Sequence, residues 1–354
     1  MSNFEDIIQT EKITNNSNSV ILSIVIPSYN SSKLLSRCIF ALENQSAKKA
    51  CFERIVADDG STDETVEMLK NFKDRTELKL QWTSIKNSGP ATARNTGVAI
   101  TSGAWIGFLD ADVIPNPDWV ETALKLIRNH PNAGALEGRT EVTQRGRATP
   151  FTHQTANTEG GRYPTCNLIV RKNLAHFHQA YKIPFREDTD LAFSILESGY
   201  PIIFSSKLEV EHPPLKPSYS RPFFLAQRYY YDGVLARRFP SRYHKELDAH
   251  NILGLKIPHL KRKLYSVFML SQIIFLIGIL AGFSGYEIIL IGILYLVIFA
   301  LTAVVGLRYA NLKELSLKDW LVYFTQLQLL PWVMSYSLFR GWLDFRDEPE
   351  FPAV

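Results

Sequence analysis

The chain has 354 residues, 46% hydrophobic and 21% charged, enough for one large domain or two smaller ones. Its formal net charge of +4 gives no global nucleic-acid footprint, so no nucleic acid is expected as a partner. The three cysteines, Cys38, Cys51 and Cys166, make no CxxC pair and no even-numbered framework, which excludes a disulfide scaffold and fits reduced thiols in a cytosolic compartment.

Residues 1–19 are polar, carry Glu5, Asp6 and Glu11, and contain no apolar run; they predict a flexible flank rather than a secretion signal. Ser23–Pro27 then reads as a buried strand. Ser32–Asn44 follows with Leu34, Leu35, Cys38, Ile39 and Leu42 at helical spacing. Arg54–Ala57 is a second strand, and Ser61-Thr62-Asp63-Glu64 has the form of a capping box opening a helix to about Phe72. Leu78–Trp82 is a third strand. Pro90 opens a helix through Ile100. Trp105–Leu109 is a fourth strand, Asn116-Pro117 caps a helix to about Asn129, and Gly134–Leu136 starts another strand. This alternation predicts an α/β fold with a mainly parallel sheet and helices on both faces.

Four strand ends carry polar clusters: Pro27–Asn30, Asp58–Ser61, Lys86–Arg94 and Asp110-Ala111-Asp112. In a parallel sheet all four converge on the carboxyl edge, where open α/β sheets bind ligands. Asp110 and Asp112, two residues apart at a strand end, point to the same side. Two hard oxygen ligands there suit Mg2+ or Mn2+ carrying a phosphate-bearing substrate.

The mean hydropathy of −0.06 hides a split. Leu264–Tyr286 has no charged residue, and Ile288–Leu307 is a second uncharged, mostly apolar stretch. Each can cross a bilayer, which needs roughly 20 apolar residues. Lys261, Arg262 and Lys263 precede the first; Arg308, Lys313 and Lys318 follow the second, so both ends of this helical hairpin are expected in the cytoplasm. The alternative is a pair of buried core helices. Arg221–Arg242 mixes basic and aromatic residues (Arg228, Tyr229, Tyr230, Tyr231, Arg237, Arg238, Phe239), as a helix lying on anionic membrane lipid would. Trp320–Phe339 is uncharged but holds Gln326, Gln328 and Pro331, which predicts an interfacial or third membrane segment. The expected division is therefore flank 1–19, α/β catalytic domain 20–215, basic-aromatic juxtamembrane helices 216–263, transmembrane hairpin 264–307, and final segment and tail 308–354.

The pieces IVIPSYN, VADDGSTD, NSGPATARNTGV, IGFLDAD, TCNLIVRK and FREDTDLAFSILESGY, in this order and spacing, resemble the inverting glycosyltransferases of family 2, which have the GT-A fold. The resemblance covers about Ser23 to His212. It implies sugar transfer from a nucleotide-sugar, with a divalent ion offsetting charge on the departing diphosphate. By the same resemblance Asp112 binds the metal, Asp110 lies by the ribose and metal, Asp59 and Tyr29 hold the base with Pro27 shaping the turn, and Arg94 supports the diphosphate and the acidic pair. Asp188 is implied as the base that deprotonates the acceptor hydroxyl, with Glu187 orienting it or touching the acceptor and Asp190 as the competing candidate. His212 is a candidate further metal or diphosphate ligand, and Asn167 a candidate contact to acceptor or donor sugar. His153, His176 and His178 have no usable pattern.

The expected enzyme is a membrane-anchored, metal-dependent glycosyltransferase at the cytoplasmic membrane. It would take a nucleotide-sugar donor, UDP-sugar favoured, and a lipid-linked or saccharide acceptor of cell-envelope or extracellular polysaccharide synthesis. Two rivals stand beside it: a metal-dependent nucleotidyltransferase, disfavoured by the lack of a GxxxxGK[ST] loop, and a non-catalytic nucleotide-binding membrane subunit. A processive synthase would carry Q-x-x-R-W, which the sequence lacks.

Overall fold

The computed structural model describes residues 20–73, 78–143, 149–152, 155–247, 250–252, 255–307 and 310–352; the expected flank 1–19, His153 and Arg308 lie outside them. The described residues form two compact units, one from 20–143 and 155–213, the other from 149–152 and 214–351.

The first unit holds strands β1 (Leu22–Ser28), β2 (Phe52–Asp58), β3 (Leu80–Ser84), β4 (Trp105–Phe108), β5 (Ile114–Pro115), β6 (Ala135–Val142), β7 (Leu168–Arg171) and β8 (Ile202–His212). Its helices are α1 (Ser32–Glu43), α2 (Thr65–Lys73), α3 (Pro90–Ala99), α4 (Trp119–Asn129) and α5 (Glu187–Glu197). The strands make one sheet in the order β3-β2-β1-β4-β7-β6-β8-β5. The β3-β2-β1-β4 half is parallel throughout. β7 runs antiparallel between β4 and β6, β8 is parallel to β6, and β5 is antiparallel to β8.

β1 and β2 lack polar alternation because helices cover both faces of a parallel sheet. Every residue of β2 is buried, including Glu53 and Arg54. Both charges are met inside: Glu53 accepts from Ser23 Oγ at 2.7 Å and Ser102 N at 2.6 Å, and Arg54 pairs with Glu43 at 2.9 Å. That satisfies the rule that buried charge must be paired. α1 buries Leu35, Cys38, Ile39 and Leu42, the stripe its sequence spacing predicts. Each buried leucine of this kind is worth about 2–5 kcal/mol against alanine. The three cysteines are free, as expected.

Two boundaries differ from the sequence expectation. α2 starts at Thr65, and its first turn is capped by Asp63, whose Oδ1 accepts from Thr65 N at 3.0 Å. Ser61 does not cap it, because its hydroxyl accepts from Asn30 N at 2.9 Å instead. α4 starts at Trp119, after Asp118 rather than Asn116.

The second unit contains α6 (Arg221–Gln227), α7 (Asp232–Arg238), α8 (Pro240–Lys245), the short antiparallel pair β9 (His250–Ile252) and β10 (Leu255–Ile257), then α9 (Leu260–Leu280), α10 (Tyr286–Leu307) and α11 (Leu317–Asp344). α9 and α10 have 21 and 22 residues, are almost wholly apolar over most of their length, and bury only about a fifth and a tenth of it. Both are long and apolar enough to cross a membrane, and a soluble core helix would be mostly buried. Lys261–Lys263 lie in the first turn of α9 rather than before it.

The 320–339 segment lies in one continuous helix, α11, which runs through Pro331 and opens on a capping box between Ser316 and Asp319. It buries Tyr323, Leu327, Leu330, Met334 and Ser337 along one face and exposes Phe324, Trp332, Tyr336, Phe339 and Trp342. Much of the basic-aromatic segment, expected as a helix lying on lipid, is packed into its own unit. Tyr229, Tyr231 and Phe239 are buried, Tyr230 OH donates to Asp344 at 3.0 Å, and Arg237 stacks over Trp342 at 5.5 Å. Its rings are used up in packing α6 and α7 against α11. Gly341 lies against the backbone of Tyr230 and Gly233 against that of Gly341, so no side chain fits between these helices.

Candidate active site

The register places the candidate residues. Val25 lies opposite Phe108, and Ser28 opposite Asp58, which itself faces Ser84, so β1 to β4 end at one edge. Pro27 is the last residue but one of β1, and Tyr29, half exposed, leaves the strand there. Asp59 follows β2, and its carboxylate accepts from Ser88 N at 2.7 Å and Gly89 N at 2.9 Å. It thereby fixes the start of α3, whose second turn carries Arg94. β7 runs antiparallel with Leu168 opposite Phe108, which brings Asn167 to the same edge. β8 sets Glu211 opposite Ile114 and His212 opposite Val142, so His212 reaches the turn that holds Asp112.

Arg94 is buried and joins two elements. Its Nη2 donates to Asp110 Oδ1 at 2.9 Å and its Nη1 to Glu187 Oε1 at 3.0 Å. Burial opposes its charge, but Asp110 and Glu187 outweigh that and hold the guanidinium above its ordinary value. Glu187 opens α5 and is pushed up to about 7 by burial, then by the neighbouring Asp188, against the pull of Arg94. Asp188 is also raised, mainly by burial, although its carboxylate accepts from Thr189 N at 2.7 Å. Two neighbouring carboxyls raised by burial suit proton transfer.

Asp112 and His212 form a second pair, with His212 Nε2 at 3.8 Å from Asp112 Oδ2. Nδ1 of His212 lies 2.9 Å from the Pro213 carbonyl. A carbonyl only accepts, so Nδ1 carries the proton, and in the neutral ring Nε2 turns a lone pair toward the carboxylate. Burial raises the Asp112 carboxyl, with His212 opposing and Asp110 adding to the rise. An imidazole nitrogen and a carboxylate oxygen facing one gap are donor types that suit a divalent ion, whose bonds of about 2.1 Å each would span such a gap. Among the described residues no group of three His, Cys, Asp or Glu side chains encloses an ion. The pair therefore fits an ion whose other ligands come from a substrate and water, as for Mg2+ at phosphates.

Two expectations change. Asn167 is buried, and its amide is engaged inside the fold: Oδ1 accepts from Trp119 Nε1 at 2.9 Å, and Nδ2 donates to Arg139 O at 2.8 Å and Leu208 O at 2.9 Å. It ties α4, β6 and β8 together and has no donor left for a sugar. Asp190, the competing base, is buried and accepts from Tyr181 OH at 3.1 Å.

The structure also adds residues that sequence reasoning passed over. Asn30 sits at φ +48°, and its Oδ1 accepts from Thr62 N at 2.7 Å, tying the turn after β1 to the turn after β2. Asn tolerates this left-handed backbone better than most residues, the one signal the sequence offered. Glu137 is buried beside Leu168 and accepts from Gly161 N, Arg162 N and Tyr163 N at 2.8, 3.0 and 2.7 Å. It holds the loop that leads into β7.

Residues 23–190 match the family described as Glycosyl transferase family 2. Validoxylamine A glucosyltransferase of Streptomyces hygroscopicus subsp. jinggangensis is 36% identical over 104 residues, 29% of this chain and 25% of that protein. Glycosyltransferase AglE of Haloferax volcanii is 31% identical over 158 residues, 44% of this chain and 48% of that protein. The matches thus span between a quarter and a half of these relatives' length. Among solved structures, a mannosyltransferase from Pyrobaculum calidifontis in complex with GDP-Man and Mn2+ has 16% identity and a TM-score of 0.52, covering 97% of this chain and 96% of its own. That likeness gives the fold, a GT-A-type mixed and mostly parallel sheet; in this chain two apolar helices follow it. Residues 23–190 therefore form a glycosyl transferase family 2 domain within the chain.

Proposed function

We propose that the chain is a metal-dependent, inverting glycosyltransferase that moves a sugar from a nucleotide-sugar to a lipid-linked or saccharide acceptor at the cytoplasmic face of a membrane. The observation that carries the reading is the Arg94 bridge, which sets Asp110 beside α3 and Glu187-Asp188 at the head of α5 in one edge of the sheet. Tyr29 and Asp59 bind the nucleoside. Asp112 and His212 would hold Mg2+ or Mn2+, which stabilises the charge of the departing diphosphate when bound. Asp188 takes the proton of the acceptor hydroxyl as the new glycosidic bond forms on the opposite face from the leaving group. Burial raises its proton affinity, which strengthens it as a base. Arg94 pairs with both Asp110 and Glu187, which offsets part of the repulsion among the carboxyls that share this edge.

The nucleotide-sugar reading draws support from the mannosyltransferase solved with GDP-Man and Mn2+. The membrane reading draws support from the exposed apolar length of α9 and α10. The test is a panel of UDP- and GDP-sugars incubated with the full chain in lipid vesicles with Mn2+ or Mg2+. Release of nucleoside diphosphate with sugar appearing on the acceptor is expected. Release of pyrophosphate from nucleoside triphosphates would make it a nucleotidyltransferase, and binding without turnover of any donor would make it a non-catalytic subunit.

A further inference from the structure

We propose that Phe177 is a positioning residue for the transfer, acting through Arg94. The inference rests on the reading of Asp110 and Asp188 as donor-side and acceptor-side groups. Phe177 lies in the segment 175–182 between β7 and α5 and is fully buried. The Arg94 guanidinium carbon stands 5.4 Å from its ring centre. Nε of Arg94 is buried and makes no hydrogen bond; the ring face attracts the cation without using one. The ring is itself held edge-on against Phe108 of β4, with centres 5.0 Å apart.

The backbone of Phe177 is locked on α3. Asn95 Nδ2 donates to Phe177 O at 2.8 Å, and Phe177 N donates to Asn95 Oδ1 at 2.8 Å. This reciprocal amide pair uses both polar ends of the side chain. Further along, Gly89, at φ +92°, leaves room for Lys182, whose carbonyl would lie 2.5 Å from any Cβ there. Tyr181 OH then reaches Asp190 on α5. The segment 175–182 is thus fastened to α3 at Gly89 and Asn95 and to α5 at Asp190. It sets the span between the two helices that Arg94 must bridge, and the Phe177 ring holds the guanidinium in the plane that meets both carboxylates. Phe177 touches no substrate in this account; it fixes where Arg94 can stand.

The test is a double-mutant cycle on the full chain with the active donor. Phe177→Leu keeps an apolar side chain and removes the ring face. It is expected to lower kcat about tenfold while donor KM moves less than about twofold. In a Glu187→Leu background, where nothing at position 187 can accept from Arg94, the same substitution is expected to change kcat less than about twofold, because the bridge it serves is already cut. Equal losses in both backgrounds, or wild-type kcat in Phe177→Leu, overturn the inference and leave the glycosyltransferase reading standing. If Phe177→Leu fails to fold, Asn95→Asp takes its place, since it still accepts from Phe177 N and loses only the bond to Phe177 O. If the unaltered chain transfers no sugar, the functional reading has failed, and a crystal structure of Phe177→Leu decides the positioning. There, Arg94 leaving Glu187 supports it, and Arg94 still bonded to both Asp110 and Glu187 overturns it.

Discussion

His212 Nε2 stands 3.8 Å from Asp112 Oδ2, brought there by a strand register that sets Glu211 opposite Ile114. Neither residue belongs to the other's local motif, yet together they present one nitrogen and one oxygen to a single gap. Chelation with EDTA is therefore expected to abolish transfer, and Mn2+ or Mg2+ to restore it. His212→Ala should raise the Mn2+ concentration for half-activity at least about tenfold, and Asp112→Ala should leave no metal-dependent turnover. A titration of rate against free Mn2+ checks both.

Asp188→Asn keeps the shape of the α5 start and removes the base. It should lower kcat about a hundred- to ten-thousand-fold while nucleotide affinity stays unchanged. Calorimetry with the nucleoside diphosphate, beside single-turnover kinetics, separates the two quantities.

Glu187 is raised from 4.5 to about 7 in the folded chain. Between those values the folded state holds a proton that the unfolded state has released, so rising pH removes stability. The contribution is fully present below about pH 4.5 and is lost as pH rises through about 7. Melting temperature should fall across that window in the unaltered chain. The slope should flatten in Glu187→Gln, read by melting curves in matched buffers.

Asn167→Ala should act on stability rather than on substrate. It leaves Trp119 Nε1 and the carbonyls of Arg139 and Leu208 buried without their partner. Each lost partner costs about 1–3 kcal/mol. A marked drop in melting temperature with donor and acceptor KM unchanged is expected. A rise in either KM at constant stability would return the residue to the sugar site.

Leu294 lies midway along α10 and is exposed. A charge at the centre of a spanning helix costs about 2.5–3.5 kcal/mol of insertion. Leu294→Arg should move protein from the membrane fraction to aggregates or the soluble fraction, as shown by flotation and blotting.

The parallel half of the sheet was readable in the sequence because its strands are apolar runs and its turns are local. Leu22–Ser28 and Asp58–Ser61 declare themselves without reference to anything distant. The acids at positions 110, 112, 187 and 188 stood out for the same reason. What escaped was decided by pairing across the chain. Asn167 looks like a strand-end ligand until β7 turns out to run against β4, where Trp119 and the carbonyls of Arg139 and Leu208 claim it. Ser61 has the spacing of a helix cap, but Asn30, on another turn, takes its hydroxyl first. Phe177 and Glu137 carry no motif at all, since their roles consist of contacts to residues far along the chain.

The glycine contacts of α11 bear on how the chain can be shortened. With Gly341 seated on Tyr230 and Gly233 seated on Gly341, the last long helix is a wall of its unit rather than a tether hung from it. A version ending before Leu317 would take away the helix that Tyr230, Gly233 and Arg237 pack on. Fragments for crystallisation would therefore do better to keep α11.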